Sequence, residues 1–467
     1  MNKTFRIAAA LVLLASSAAA APRVEFLSST LSEDSHRTVT ATYRLTGAPA
    51  IVTIDFQTNS FNWTSIGGQH LSAATGAVYK KIDSDGDYEI RWNAAECWPG
   101  QKIRGANSRI VLRAWSPTDA PDYMVVDLAK ETAASDRVRY YPSEDYLPGG
   151  LLSNEAYWTT KLVMRRIRAR GIPWTMGYEG EINTTGAANA GRHVVALTND
   201  YYIGVFPITQ GQWKTVGAGN SFNEPSYFTN SAYASRRPVE RVSFTDIRTY
   251  IPQQLASFQH NASAAARAQY QWPNPPHPDS FLGYLRTRTG SAIDFDLPGE
   301  AQWEFACRAG TTVGFWNNGS RVTGENIDGN LPGRYIGNTV LQQQLPNRNC
   351  DDSEGTKPVG SYGKNAWGLY DMHGNVLEWC LDNWQADITK LNGVINSDRG
   401  APIAADGASG GNCECVVRGG SWQTAAPNAI SGFRTRQWPN VRYPNPAQAT
   451  TYTTSYGLRV VCTGTLK

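Results

Sequence analysis

Gly368-Leu369-Tyr370-Asp371-Met372-His373-Gly374-Asn375-Val376-Leu377-Glu378-Trp379-Cys380 carries more information than any other run of this chain. Two glycines let the backbone bend where a side chain would clash. A bend of that kind turns carbonyls inward, and Asp371 and Glu378 bracket it. Carboxylates with inward carbonyls make an all-oxygen donor set, which suits a hard cation such as Ca²⁺. The plainer reading is a glycine turn with two solvated acids.

Outward from this run, the chain begins with an address. Lys3 and Arg6 precede a short apolar stretch, Ala8 to Ala15, too short to span a bilayer, and Ala18-Ala19-Ala20-Ala21 offers small residues for cleavage. Residues 1–21 therefore read as a secretory signal peptide, and the expected destination is secreted or periplasmic, with no transmembrane anchor. The formal charge of +3 falls to about +1 without Lys3 and Arg6. Nothing in a near-neutral chain of this kind suggests nucleic acid, and no nucleic-acid partner is expected.

The 43 glycines, 25 prolines, 15 tryptophans and 22 tyrosines point to a loop-rich fold with aromatic-filled cores rather than a helical bundle. Short alternating segments such as Arg37 to Leu45, Ile51 to Phe56, Tyr88 to Trp92 and Ile110 to Trp115 predict an all-β sandwich as an accessory domain over 22–130. Residues 131–169, with breakers at Tyr140-Tyr141-Pro142 and Leu147-Pro148-Gly149-Gly150, read as a linker. A second domain follows over 170–467. Thr209 is placed to cap a helix through Trp213, and Pro298 and Glu300 open another that Gly310 closes.

In an exported protein some of the seven cysteines are expected to pair, and the odd count leaves at least one over. Spacing alone does not give the connectivity. Cys413-Glu414-Cys415 lacks partners at zinc spacing. None of the six histidines falls in a His-x-x-x-His pair, and no nucleophile elbow or phosphate loop is present.

Eight segments occur in an order that resembles the sulfatase-modifying-factor family, whose best-known members are formylglycine-generating enzymes. They are Thr175-Met176-Gly177, Tyr202 to Gln212, Arg237 to Phe244, Leu297 to Gly310, Thr356 to Gly360, Gly368 to Trp384, Arg418 to Trp422 and Gly457-Leu458-Arg459. The resemblance implies a loop-rich α+β domain akin to the C-type lectin fold. It also implies two structural Ca²⁺ sites. The ligands of one would be the Asp371 and Glu378 side chains with the Gly374 and Val376 carbonyls. Those of the other would be Asn326, Ile327, Asp351 and Ser353.

The formylglycine enzymes oxidise a substrate cysteine using two thiols that bind Cu(I), a soft ion. Those thiols follow the motif that here reads Gly419-Gly420-Ser421-Trp422, and their positions fall at about Thr424 and Ala429. A hydroxyl and a methyl do not ligate Cu(I), so copper is not expected. The remaining catalytic candidates are Ser421, Cys413 and Cys415. The expectation is a non-catalytic pseudoenzyme that binds a protein, peptide or glycan. A ligand groove would be lined by Trp422, Arg434, Arg436 and Trp438, whose flat faces and forked donors suit recognition. The alternatives are that these aromatics pack the loop core, or that the protein is an oxidase acting on a cysteine of an exported sulfatase.

Overall fold

The computed structural model describes residues 21–33, 37–101, 103, 107–129, 136–177, 191–218, 225–229, 232–249, 274–312, 333, 335, 355–384, 414–437 and 455–462. The fold is mixed, mostly short strands with few helices. No helix among the described residues is long and apolar enough to cross a membrane.

The N-terminal part forms two four-stranded antiparallel sheets. One runs Arg23–Leu31, Thr38–Thr46, Gly86–Asn93, Thr75–Gly76. In the other, Ala50–Asn59 pairs with Trp63–Ser65, Lys81–Ile82 and Ser108–Trp115. The alternation seen in the sequence sets the inner face: Val39, Ala41, Tyr43 and Leu45 are buried, as are Ala50, Val52, Ile54 and Phe56, and all share one apolar cluster.

That cluster does not stop at residue 130. Tyr123, Val125, Tyr141, Tyr157, Val163, Phe206, Val359 and Tyr370 belong to it. Conversely, Ile51 packs in a second cluster with Met124, Trp213, Phe281 and Trp379. Ala50 to Ile54 are buried on both faces of their strand because the second sheet is covered at that end by the C-terminal part of the chain.

The expected linker is therefore corrected. Val138–Tyr141 and Lys161–Ile167 are strands of a five-stranded sheet, flanking Tyr123–Asp127 and continuing through Tyr201–Gly204 to Val461–Cys462. Tyr140 and Tyr141 end the first of these strands, and Pro142 and Leu147-Pro148-Gly149-Gly150 lie between the two; Thr160 to Ile167 is strand-like in sequence, but its sheet partners are not local. The sheet spans the expected boundary, and its core continues into both parts.

A fourth sheet, ordered Arg434–Gln437, Cys415–Arg418, Leu377–Asn383, Tyr456–Gly457, carries the quoted run. Against it lies the helix Glu300–Arg308, every residue of which is buried. It ends on Ala309 in the left-handed region at φ 47°. The helix Gln210–Gly217 begins on a capping box in which Thr209 and Gln212 exchange side-chain and backbone hydrogen bonds. Cys97, Cys307 and Cys380 carry thiols, and Cys350 and Cys413 lie outside the described residues.

Candidate functional site

The turn at the centre of the quoted run is built from left-handed residues: Asp371 at φ 56°, Gly374 at 87° and Asn375 at 68°. Two side chains of this turn tie a neighbouring loop to it. Asp371 Oδ2 accepts from the Gly360 amide at 2.8 Å, and Asn375 clamps Lys357 by accepting from its amide and donating to its carbonyl. The turn backbone holds the next loop as well. The Gly374 amide donates to the Gly419 carbonyl, and the Trp422 amide to that of Asn375. Gly420 at φ 74° is pressed so closely on Ala429 that a Cβ would lie 3.0 Å from its Cα.

The two carboxylates of the run do different things. Glu378 is fully buried and is gripped by Arg459, whose Nε and Nη2 lie 3.0 to 3.2 Å from its oxygens, while Trp303 Nε1 donates at 2.7 Å. Three N–H donors thus engage both of its oxygens. Arg459 also donates to the Gly204 and Tyr370 carbonyls, so this one pair joins three parts of the domain. Asp371 Oδ1, in contrast, is buried with no hydrogen-bond partner. Burial pushes the Asp371 carboxyl up to about 6. As cation donors, then, Asp371 fits and Glu378 does not: its oxygens are already engaged by Arg459 and Trp303. Asn326, Ile327, Asp351 and Ser353 lie outside the described residues.

Beside the turn runs a buried ionic ladder off the Glu300–Arg308 helix. Glu300 receives Arg434 Nε and Nη2, both at 2.7 Å. Glu304 receives Arg418 and, at 2.8 Å, Arg308 Nε, and it also accepts from the Gly177 amide. Burial alone would raise the Glu300 carboxyl, but Arg434 and Arg418 outweigh it and hold it below the usual range.

This ladder corrects the expected groove. Arg434 is not a surface donor. Its pairing with Arg418 across adjacent strands turns it toward the helix, where it meets Glu300. Arg436 is exposed, with its guanidinium on Glu414 at 2.7 Å and near the Trp384 ring. Trp422 is buried and packs edge-on to Phe228, 5.4 Å between ring centroids. Trp438 lies outside the described residues. Arg434 and Arg436 thus meet at the Trp384 ring, 4.4 and 5.7 Å from its centroid, while Trp422 packs on Phe228 instead.

The positions that the resemblance assigns to thiols are occupied tightly. Thr424 Oγ1 accepts from the Ser421 amide at 2.8 Å and lies 3.0 Å from Ser421 Oγ. The buried Ala429 gives its carbonyl to His373 Nδ1 at 2.8 Å. His373 is a turn residue held by this backbone carbonyl. Its other nitrogen faces Cys307 Sγ at 3.7 Å. Burial lowers His373 to about 4 and raises Cys307 to about 12, so both are neutral near pH 7. Cys415 lies in a strand, buried among Leu381, Val417 and Val460 in an apolar cluster, and Cys413 lies outside the described residues. No group of three or more His, Cys, Asp or Glu side chains converges among the described residues.

Two features were not legible beforehand. Phe228, which closes over Trp422, comes from a segment with no periodic signal. Glu240 is fully buried and accepts from the Tyr227 and Phe228 amides at 2.5 and 3.1 Å, while its other oxygen has no partner. Burial pushes Glu240 up to about 8. The only hint was an acid at the fourth position of the extended run Arg237 to Phe244.

Residues 162–463 match the model of the family described as sulfatase-modifying factor enzyme 1-like domain. Chaperone protein LppX of Paenibacillus barcinonensis is 30% identical over 226 residues, covering 45% of this chain and 74% of that protein. The formylglycine-generating enzyme of Thermomonospora curvata is 38% identical over 93 residues, 20% of this chain and 28% of that enzyme. Among solved structures, Treponema denticola variable protein 1 aligns with 65% of this chain and 96% of its own at 22% identity, with a TM-score of 0.40.

Proposed function

The chain belongs to the sulfatase-modifying factor enzyme 1-like family, which its residues 162–463 match, and within that family we propose that it acts as a non-catalytic binding protein for an exported polypeptide. One observation carries this reading: the two positions of the family's thiols are a hydroxyl bonded to Ser421 and the methyl of Ala429, whose carbonyl is bonded to His373. The Cys307 thiol, which faces the other nitrogen of His373, is protonated. A thiol in that state is a poor nucleophile and a poor ligand.

The likeness to a protein named as a chaperone supports a polypeptide as partner. The two N-terminal sheets, taken together as a sandwich, would serve as a second contact module, and the signal peptide would deliver the protein outside the cytoplasm. A structural Ca²⁺ at the quoted run would rest on Asp371 and the loop carbonyls rather than on Glu378.

The test pairs two assays on the purified protein. One measures whether it suppresses aggregation of a chemically unfolded secreted protein; suppression is expected. The other measures O₂-dependent conversion of a cysteine-containing sulfatase peptide to formylglycine with Cu(I) supplied; none is expected. Conversion that depends on copper would replace this reading with the oxidase.

A further inference from the structure

The outer face of the second N-terminal sheet carries cations that no carboxylate meets. Side chains alternate along Ser108–Trp115. Ile110, Leu112 and Ala114 pack on the N-terminal cluster, so Arg109, Val111, Arg113 and Trp115 belong to the opposite face. Across the register they meet Gln57, Asp55, Thr53 and Ile51 of Ala50–Asn59, and Trp63 stands beyond, opposite Asn59. Ile51 and Trp115 sit against the core shared with the C-terminal part. The remainder of the face meets water. Arg109 and Arg113 are exposed, and Val111, Trp63 and Phe61, the last in the turn at 60–62, are 36%, 37% and 97% exposed.

Both guanidiniums are held by rings. Arg109 lies over the Trp63 ring, 4.4 Å from its centroid, and its Nε donates to Gln57 Oε1 at 2.8 Å. Arg113 lies over the Trp115 ring at 3.5 Å, and no hydrogen bond or ion pair engages it among the described residues. Asp55, the only acid among the outward residues of 53–59, 63–65 and 109–115, is taken by Gln57 Nε2 at 2.9 Å and Ser65 Oγ at 2.6 Å. A guanidinium stacked on a ring is already ordered, so its remaining N–H donors meet a carboxylate at little further entropic cost.

Two cations four residues apart on one strand, about 13 Å between their Cα atoms, with an exposed valine between them, define a complementary ligand. Alternate side chains of an extended peptide share a face. The pattern acid-x-apolar-x-acid therefore offers one carboxylate to each arginine and an apolar side chain to Val111. We propose that this face docks extended, acidic polypeptide segments of that pattern. The inference rests on the polypeptide-binding function for the nature of its partner, and gives that function a surface and a charge preference. A sugar chain fits less well. The ring faces on which sugars would stack lie under the two guanidiniums, and Val111 and Phe61 leave sugar hydroxyls without hydrogen bonds.

The test is fluorescence anisotropy of a fluorescein-labelled peptide with two glutamates flanking a leucine in this pattern, titrated with the purified protein. A peptide with lysine in place of glutamate is the control. The wild type should bind the glutamate peptide, more weakly as salt rises, and the lysine peptide at least tenfold less tightly. Arg109→Glu combined with Arg113→Glu should weaken the glutamate peptide at least tenfold and bind the lysine peptide more tightly than the wild type does. Both side chains are exposed, so this variant keeps the fold, and circular dichroism checks this. A wild type that does not bind the glutamate peptide overturns the inference, as does binding indifferent to the double substitution. Tighter, arginine-dependent binding of alginate, a carboxylated polysaccharide, overturns it in favour of an anionic glycan. The polypeptide-binding function is read separately: suppression of aggregation by the wild type without capture of the glutamate peptide sinks this face alone.

Discussion

Glu240 shows at residue scale how a buried acid sets the behaviour of its surroundings. It holds the Tyr227 and Phe228 amides, and so places Phe228 against Trp422. Its carboxyl is raised by burial, with Arg241 and Arg237 offsetting part of that rise. A carboxyl raised to about 8 from an unfolded value near 4.5 favours folding in its protonated form. Its stabilisation is complete below about pH 4.5, declines by up to about 1.4 kcal/mol per pH unit as pH rises, and is gone above about pH 8. Glu240→Gln keeps the acceptor for both amides without the charge. Denaturant midpoints between pH 5 and 8 should fall for the wild type relative to the variant; parallel curves would refute the assignment.

Arg459 is the opposite case, a charge whose partner is fixed. Removing it strands Glu378 in the core, and breaking a buried pair from one side costs about 3–5 kcal/mol. Arg459→Ala should therefore unfold at a much lower temperature in calorimetry, or accumulate only in inclusion bodies. Arg436→Ala, which frees an exposed pair with Glu414, should shift stability by less than about 1 kcal/mol.

At the scale of elements, the quoted run works as a hub. Its left-handed residues aim Asp371 and Asn375 at the 355–360 loop and its backbone at Gly419 and Trp422. If Asp371 Oδ1 holds Ca²⁺, the melting temperature should rise with added Ca²⁺ and fall with chelator, as a ligand bound only by the folded state requires. Asp371→Ala should abolish that dependence. A wild type unmoved by chelator leaves the run as a turn held by protein groups alone. The capping box at Thr209 is a second element-scale test. Its hydroxyl accepts from the Gln212 amide and donates to the Trp158 carbonyl. Thr209→Ala should cost about 1–2 kcal/mol in equilibrium unfolding.

For the whole molecule, the shared cores decide how the chain divides. The N-terminal cluster includes Tyr123, Val163, Phe206 and Tyr370, so the part matched by the family does not own a complete core. Expression of residues 162–463 alone should give aggregated or loosely packed protein, read by loss of near-ultraviolet dichroism. A soluble, cooperatively folding fragment would show the two parts to be independent.

Much of this could be read without coordinates. The order of short motifs from Thr175 to Arg459 identifies the family because each motif is local: a glycine where φ must be positive, a capping residue before a helix, alternation along a strand. The helix from Glu300, the cap at Thr209 and the inner faces of the N-terminal strands follow from the same short-range rules. The occupants of the thiol positions could also be read, since they lie a fixed number of residues after Gly-Gly-Ser-Trp. What only the tertiary structure decided is where the charges go. Arg434 and Glu300 are 134 residues apart, and Arg459 and Glu378 are 81 apart. Nothing local distinguishes an arginine that will be buried against a carboxylate from one that will face water. The same limit hid the five-stranded sheet that runs through the expected linker. Strand order, burial and ionic pairing arise when distant segments compete for one another, and that competition is settled only by the folded chain.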